Sequence, residues 1–194
     1  MPEAKREISE AAKADLAKHK TDRVELVAHD PAWADMFAQI AHEVRMACGD
    51  LIVDIHHIGS TSVPELSAKP LIDLMPVLNA FADGARCADI LEPLGFYYHR
   101  EYGIPGRQFF RQRGPVNINM HMFERGHVEI ERHLVFRDAL RSDAELKAAY
   151  EDLKRGLAAK FPNDIDSYAM AKSTFIEGVL QAQGAPERPS GPDC

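Results

Sequence analysis

His56-His57-Ile58-Gly59-Ser60-Thr61-Ser62-Val63-Pro64, followed three residues later by Ala68-Lys69-Pro70-Leu71-Ile72-Asp73-Leu74-Met75, is the stretch that decides how this chain is read. An apolar run enters a Gly-Ser turn, a short polar connection follows, and a second apolar run carries one carboxylate into the middle of a strand. Phosphate sites are built this way. Gly59 lets the backbone approach a ligand closely, and Ser60 and Thr61 add hydroxyls to the amides that an anion seeks. Asp73, between Ile72 and Leu74, is costly to bury unless a metal ion, a base or a hydrogen-bond network receives it. Two plainer readings stand beside these. Ser60 and Thr61 are also the residue types that cap a following turn, and Asp73 could form a buried ion pair with Lys69 or an arginine.

Outward from this stretch, hydrophobic periodicity predicts the remaining elements. Val24–Val27 alternates like a short strand, and Asp30-Pro31 opens a helix to Cys48 with Trp33, Phe37, Ile40 and Val44 on its apolar stripe. Leu51–Ile58 and Leu71–Leu78 read as strands, Ala85–Leu91 as a helix, and Phe96–Tyr98 and Gln108–Arg111 as further strands. Asn117-Ile118-Asn119-Met120-His121-Met122 alternates with period two, so Asn117, Asn119 and His121 share a face and form a candidate site wall. Helices are predicted over Glu131–Arg141, Asp143–Lys160 and Ile165–Gln181, with Ser142 and Glu145 as a capping box. Strands first and helices last describe an α+β protein, a small mixed sheet flanked by helices with a helical C-terminal region. The domain is expected over residues 21–183, after a helical extension at 1–20 and before a disordered tail at 184–194.

Further candidates cluster around the central stretch. Successive strand residues point to opposite faces, so His56 and His57 cannot both look into one site. Arg107 and Arg111, beside Tyr102 and the Gly103–Gly106 turn, suggest a mobile loop that brings guanidinium groups to phosphate or carboxylate. Lys69, extended before Pro70, is a candidate for phosphate contact and catalysis, or a partner for Asp73. Arg137 and Arg141 share a helix face and read as docking residues of the helical half. Tyr150, Phe161, Tyr168 and Phe175 read as packing residues.

The Gly59-Ser60 turn with an acid on the next strand resembles the nucleotidyltransferase superfamily, where a Gly-Ser pair holds nucleotide phosphates and strand acids hold divalent metal. The second acid of that pattern, two residues after the first, is Met75 here, a poor ligand for a hard ion. More specifically, the chain resembles the GrpB family, which also occurs fused behind dephospho-CoA kinases. The resemblance is carried by Asp30-Pro31-Ala32-Trp33, the central motif, Gly103-Ile104-Pro105-Gly106-Arg107-Gln108-Phe109-Phe110-Arg111, Met120-His121-Met122 and Phe136-Arg137-Asp138-Ala139-Leu140-Arg141, in order between Val24 and Leu180. It implies a nucleotidyltransferase-like fold, leaves the reaction open, and implies glycine where this chain has Glu65. It also makes the missing acid at Met75 a family trait, which stands against ordinary two-metal transfer. If His121 occupies the place of another superfamily acid, Asp73 and His121 would hold one divalent ion, Mg²⁺, Mn²⁺ or another metal, or His121 would be a general base.

Composition narrows the partners. A net charge of −7 over 194 residues argues against duplex nucleic acid, and the absence of a long uncharged apolar run or an apolar signal core argues against a membrane and for the cytoplasm. Three scattered cysteines argue against a disulfide framework and a thiolate zinc site. The expected function is a nucleotidyltransferase-like enzyme that binds a nucleotide or another phosphorylated small molecule. Gly59, Ser60, Thr61, Lys69, Arg107, Arg111 and His57 would grip the anion, and Asp73, His121 and Lys69 would act on it. The alternatives are a non-catalytic anion-binding module of the same fold, or a ligase or hydrolase of small metabolites, carboxylates included.

Overall fold

Alternation in the strands sorts their side chains into two chemically different faces, and the whole architecture follows from that division. The computed structural model describes residues 7–19 and 22–189. Its sheet contains β1 (Ile52–Ile58), β2 (Leu71–Leu78), β3 (Tyr97–Tyr98), β4 (Arg107–Gln112) and β5 (Asn117–Glu124), in the order β1-β2-β5-β4-β3. β2 and β5 are parallel and the other pairs antiparallel, so the sheet is mixed.

The helices are α1 (Glu10–His19), α2 (Ala32–Cys48), α3 (Asp83–Leu91), α4 (Val128–Ser142), α5 (Ala144–Lys160), α6 (Ile165–Met170) and α7 (Ser173–Ala182). Even-numbered strand residues, Ile72, Leu74, Phe110, Ile118, Met120 and Met122, pack on Trp33 and Val44 of α2 and on Cys87, Ala88 and Leu91 of α3. Each such buried side chain contributes about 1.5–3 kcal/mol. Odd-numbered residues, Asp73, Arg107, Phe109, Arg111, Asn119 and His121, face the other way and line a cavity against the helical half. Val63 and Leu66, just beyond the Gly59 bend, pack on Leu140 and Tyr150 and join that half to the sheet. The fold is therefore α+β with a helical C-terminal region. Among the described residues no helix is long and apolar enough to cross a membrane.

Four local expectations are corrected. Val24–Val27 is not a strand. Val27 makes one isolated bridge to Ala68, and the amide of Val24 donates to the Pro162 carbonyl, so the segment is shared between the two halves. The predicted helix over Ile165–Gln181 is two helices, interrupted at Ala171 and Lys172. Ser142 closes α4 by donating to the Asp138 and Ala139 carbonyls, whereas Asp143 caps α5 by accepting from the Leu146 amide. α4 begins three residues early because the imidazole of His127 accepts from the Glu129 amide.

The described part of the N-terminal extension is α1, docked through the buried carboxylate of Asp15, which pairs with Arg111, Arg113 and His99. In the C-terminal segment the Pro186 carbonyl accepts from Arg132, and Arg188 pairs with Glu129. Residues 1–6, 20–21 and 190–194, which hold the remainder of the expected extension and tail and Cys194, lie outside the described residues.

Candidate anion-binding site

The cavity between the polar sheet face and the helices has a volume of about 700 Å³. Its floor is the Gly59 bend. Gly59 has φ +70°, a backbone region that disfavours side chains, and a Cβ there would overlap the Asp73 carboxylate. The acid therefore lies directly over the bend. Ser60 lines the cavity and its hydroxyl meets the Lys154 ammonium at 3.3 Å. Thr61 and Ser62 hold the bend itself: Thr61 donates to the Leu71 carbonyl at 3.1 Å, and Ser62 to the Gly59 carbonyl at 2.6 Å.

The structure does not bring His57 into the cavity. Its register opposite Leu74 turns it to the α2 face, where it stacks on Phe37 with ring centroids 4.5 Å apart and meets the Thr61 hydroxyl at 3.2 Å. His57 supports the bend from behind. Arg137 donates to the His57 carbonyl at 3.0 Å and Arg141 to the Ser62 carbonyl at 2.7 Å, so the α4 arginines dock the helical half onto the same bend.

Along the sheet wall, register sets the polar groups in a row. Arg111 lies opposite Asn119 and Asn119 opposite Asp73. Arg111 donates to Asn119 Oδ1 at 3.1 Å, Asn119 donates to Asp73 Oδ1 at 3.3 Å, and Asp15 receives the other side of Arg111 at 3.4 Å. Among the described residues the polar partners of Asp73 are thus Asn119 and His121, not Lys69 or an arginine. Burial alone pushes the Asp73 carboxyl up; His121, Lys69 and Asn119 outweigh it and hold the group below its ordinary value.

Arg107 is not carried on the Gly103–Gly106 turn. It opens β4, and the preceding loop holds it in place by accepting from it at the Glu101 carbonyl, 3.1 Å, and the Tyr102 carbonyl, 2.5 Å. Its third nitrogen, Nη1, donates to His121 Nδ1 at 3.1 Å. A guanidinium can only donate, so Nδ1 is an acceptor, the imidazole is neutral, and Nε2–H faces Asp73 at 3.5 Å. Burial, with Arg107 adding to it, pushes His121 down to about 4. The geometry sets the ring neutral, so Asp73 is held low by the Nε2–H donor of His121, by Lys69 and by Asn119.

The donor set does not fit a divalent ion held by the protein. Asp73 is one carboxylate, Met75 is sealed among Ile58, Phe123, Ile130 and Leu134, and the lone pair of His121 is taken by a cation. Among the described residues no three His, Cys, Asp or Glu stand together as a metal cluster. The same occupation of Nδ1 removes the lone pair a general base would need.

The helical wall holds residues that sequence reading missed. Tyr150 and Lys154 of α5, Tyr168 of α6 and Lys172 from the break before α7 all line the cavity. Lys154 donates to the Ser67 carbonyl and lies 5.1 Å from the Tyr150 ring centroid. Lys69 and Lys172 flank the Tyr168 ring at 5.8 and 4.6 Å from its centroid. Burial lowers all three lysines, Lys154 to about 7 and Lys172 to about 8. One signal for Lys154 was present: it follows Tyr150 by four residues on the stripe of Leu146, Leu153 and Leu157, where an apolar residue is expected.

The family model described as GrpB protein matches residues 23–182. The UPF0157 protein YqkA of Bacillus subtilis is 35% identical over 156 residues, 80% of this chain and 46% of that protein. The UPF0157 protein BH1888 of Halalkalibacterium halodurans is 33% identical over 188 residues, 95% of this chain and 94% of that protein. The chain thus spans about half the length of the first relative and nearly all of the second. The crystal structure of GrpB from Enterococcus faecalis superposes with a TM-score of 0.76 at 31% identity, covering 82% of this chain and 96% of that one. At the level of fold alone, a structure of the Cid1 poly(U) polymerase superposes with a TM-score of 0.51 at 12% identity, over 84% of this chain and 53% of that one. The two chains share a fold at this level.

Proposed function

The chain belongs to the GrpB family, and from that premise we propose that its cavity binds a nucleotide or another phosphorylated small molecule as a transferase-type site. The supporting observation is charge. Eight lysines and arginines but three acids line the cavity, in a chain whose net charge is −7. Such a local reversal concentrates anions against the overall field. The Gly59 bend receives the anion beneath Asp73, with Ser60, Lys154, Lys69 and Lys172 around it. Tyr102, 37% exposed and stacked on Phe109 at 5.3 Å, offers a ring face to a base at the mouth. In a transfer reaction Asp73 would orient the acceptor hydroxyl while the lysines neutralise developing charge.

A second reading, an anion-binding module of the same fold without turnover, is favoured by Met75 and by the occupied imidazole of His121. Melting curves with each nucleoside triphosphate, tripolyphosphate and citrate test the shared claim. A phosphate ligand near 100 times its Kd adds about 2.7 kcal/mol, a rise of roughly 5 °C or more. No rise with any phosphate ligand would contradict it. Pyrophosphate release with the best ligand separates the enzyme from the module.

A further inference from the structure

Arginines and lysines of the cavity are treated differently by the fold. Each lining arginine is engaged elsewhere: Arg107 by loop carbonyls, Arg111 by Asp15, Arg132 by Glu177, Arg137 by Asp138 and Arg188 by Glu129. Lys69, Lys154 and Lys172 make no ion pair with a carboxylate among the described residues; their neighbours are aromatic faces, the Ser60 hydroxyl and the Ser67 carbonyl. Lys69 and Lys172 also share one ring, that of Tyr168. Like charges held together away from water raise one another's energy, and an anion between them relieves both.

The opposite wall repels a second cation. Asp73 is the single acid at the bend, and the imidazole beside it already carries a guanidinium on its far nitrogen. A magnesium ion at Asp73 would meet Arg107 behind His121 and the Lys69 ammonium in the same cavity, and Met75, two residues on, is sealed among apolar side chains. Resting on the reading of the cavity as a phosphate-ligand site, we propose that it takes the free polyphosphate anion rather than its magnesium complex. Lys69, Lys154 and Lys172 supply the positive charge that a carboxylate pair would recruit as metal.

Calorimetric titration of the full chain with inorganic tripolyphosphate, in EDTA and in excess Mg²⁺, tests this. Binding in EDTA is expected to be at least as tight as in Mg²⁺. Lys172→Met is expected to weaken it by about tenfold or more, and Lys154→Met repeats the test from a second helix, with a melting curve to show that each variant is folded. Binding that requires Mg²⁺ and vanishes in Asp73→Asn overturns the proposal while leaving the phosphate-ligand reading in place. Binding in EDTA that neither lysine variant alters also overturns it. No binding in either medium removes both.

Discussion

The two walls of the cavity carry charge in opposite ways. On the sheet wall every charged group has a partner of its own: Arg111 spans Asn119 and Asp15, Arg107 spans the Tyr102 loop and His121, and Asp73 rests on Asn119. On the helical wall Lys154 and Lys172 face aromatic rings and the cavity itself. A matched polar network fixes a geometry, because removing one member strands another. Lysines without a carboxylate partner, Lys154 buried and Lys172 half-buried, would do the reverse on the proposed reading: they destabilise the empty fold and favour an arriving anion. On the same reading the sheet wall holds the shape of the site, and the helical wall supplies its affinity for the anion.

Substitutions should separate the walls by sign. The largest effect is expected from Met75→Asp, which buries a carboxylate among Ile58, Phe123 and Leu134 without a partner. It should destabilise the protein by about 3–5 kcal/mol in urea titration and confer no Mg²⁺-dependent stabilisation; a Mg²⁺-dependent rise in stability would show that the position opens onto the site. Gly59→Ala comes next. Left-handed backbone and overlap with Asp73 should together remove about 2–4 kcal/mol and abolish phosphate binding. A variant of full stability and affinity would mean that the bend does not form the floor.

Lys172→Met should do the opposite to stability. Relief of a buried charge is expected to add about 1–3 kcal/mol at neutral pH, discounted for the solvent that still reaches the group, while phosphate affinity falls; loss of both would place Lys172 in the scaffold. Titration sharpens the same contrast. With Lys154 lowered to about 7 and Lys172 to about 8 from 10.5, the unfolded chain holds the extra protons above pH 7, so the ligand-free protein should gain stability from pH 7 toward 10. His57, His99 and His121, lowered to about 4 from 6.5, give the other limb, stability lost as pH falls from 6.5 to 4. Phosphate affinity should run the other way on the alkaline side, falling as the lysines deprotonate. A flat alkaline limb in the wild type would sink this account, and Lys172→Met should make the limb shallower, leaving the part that Lys154 contributes.

The smallest effect belongs to Glu65→Gly. Glu65 holds φ 67° where the family resemblance implies glycine, so the change should raise the melting temperature slightly and leave ligand binding alone. A lower melting temperature would assign that position's stability to the exposed Glu65–Lys147 pair at 2.8 Å instead.

What could be read in the sequence divides along the same line. β1, β2 and β5 were legible because their alternation or apolar runs are local, and Gly59 and Asp73 come together through an antiparallel pair separated by a short connection. Asn119 and His121 followed from period two alone. Val24–Val27 failed because a single partner, Ala68, waits for it, and the break at Lys172 failed because the apolar stripe runs on through it. Arg107 was read as an anion contact because its side-chain type suits phosphate, while its actual partners are loop carbonyls that no spacing announces. Lys172 was invisible for a simpler reason, and Lys154 left only its place on an apolar stripe. A lysine on a helix ordinarily points to water, and only long-range packing shows these two turned inward.

The position of a bound polyphosphate tests the account most directly. A crystal structure of the full chain grown with tripolyphosphate should place phosphate oxygens against Ser60 Oγ and the Lys154 and Lys172 ammonium groups, above the Gly59 backbone. Phosphate bound only outside that hollow, with both lysines turned to solvent, would contradict it.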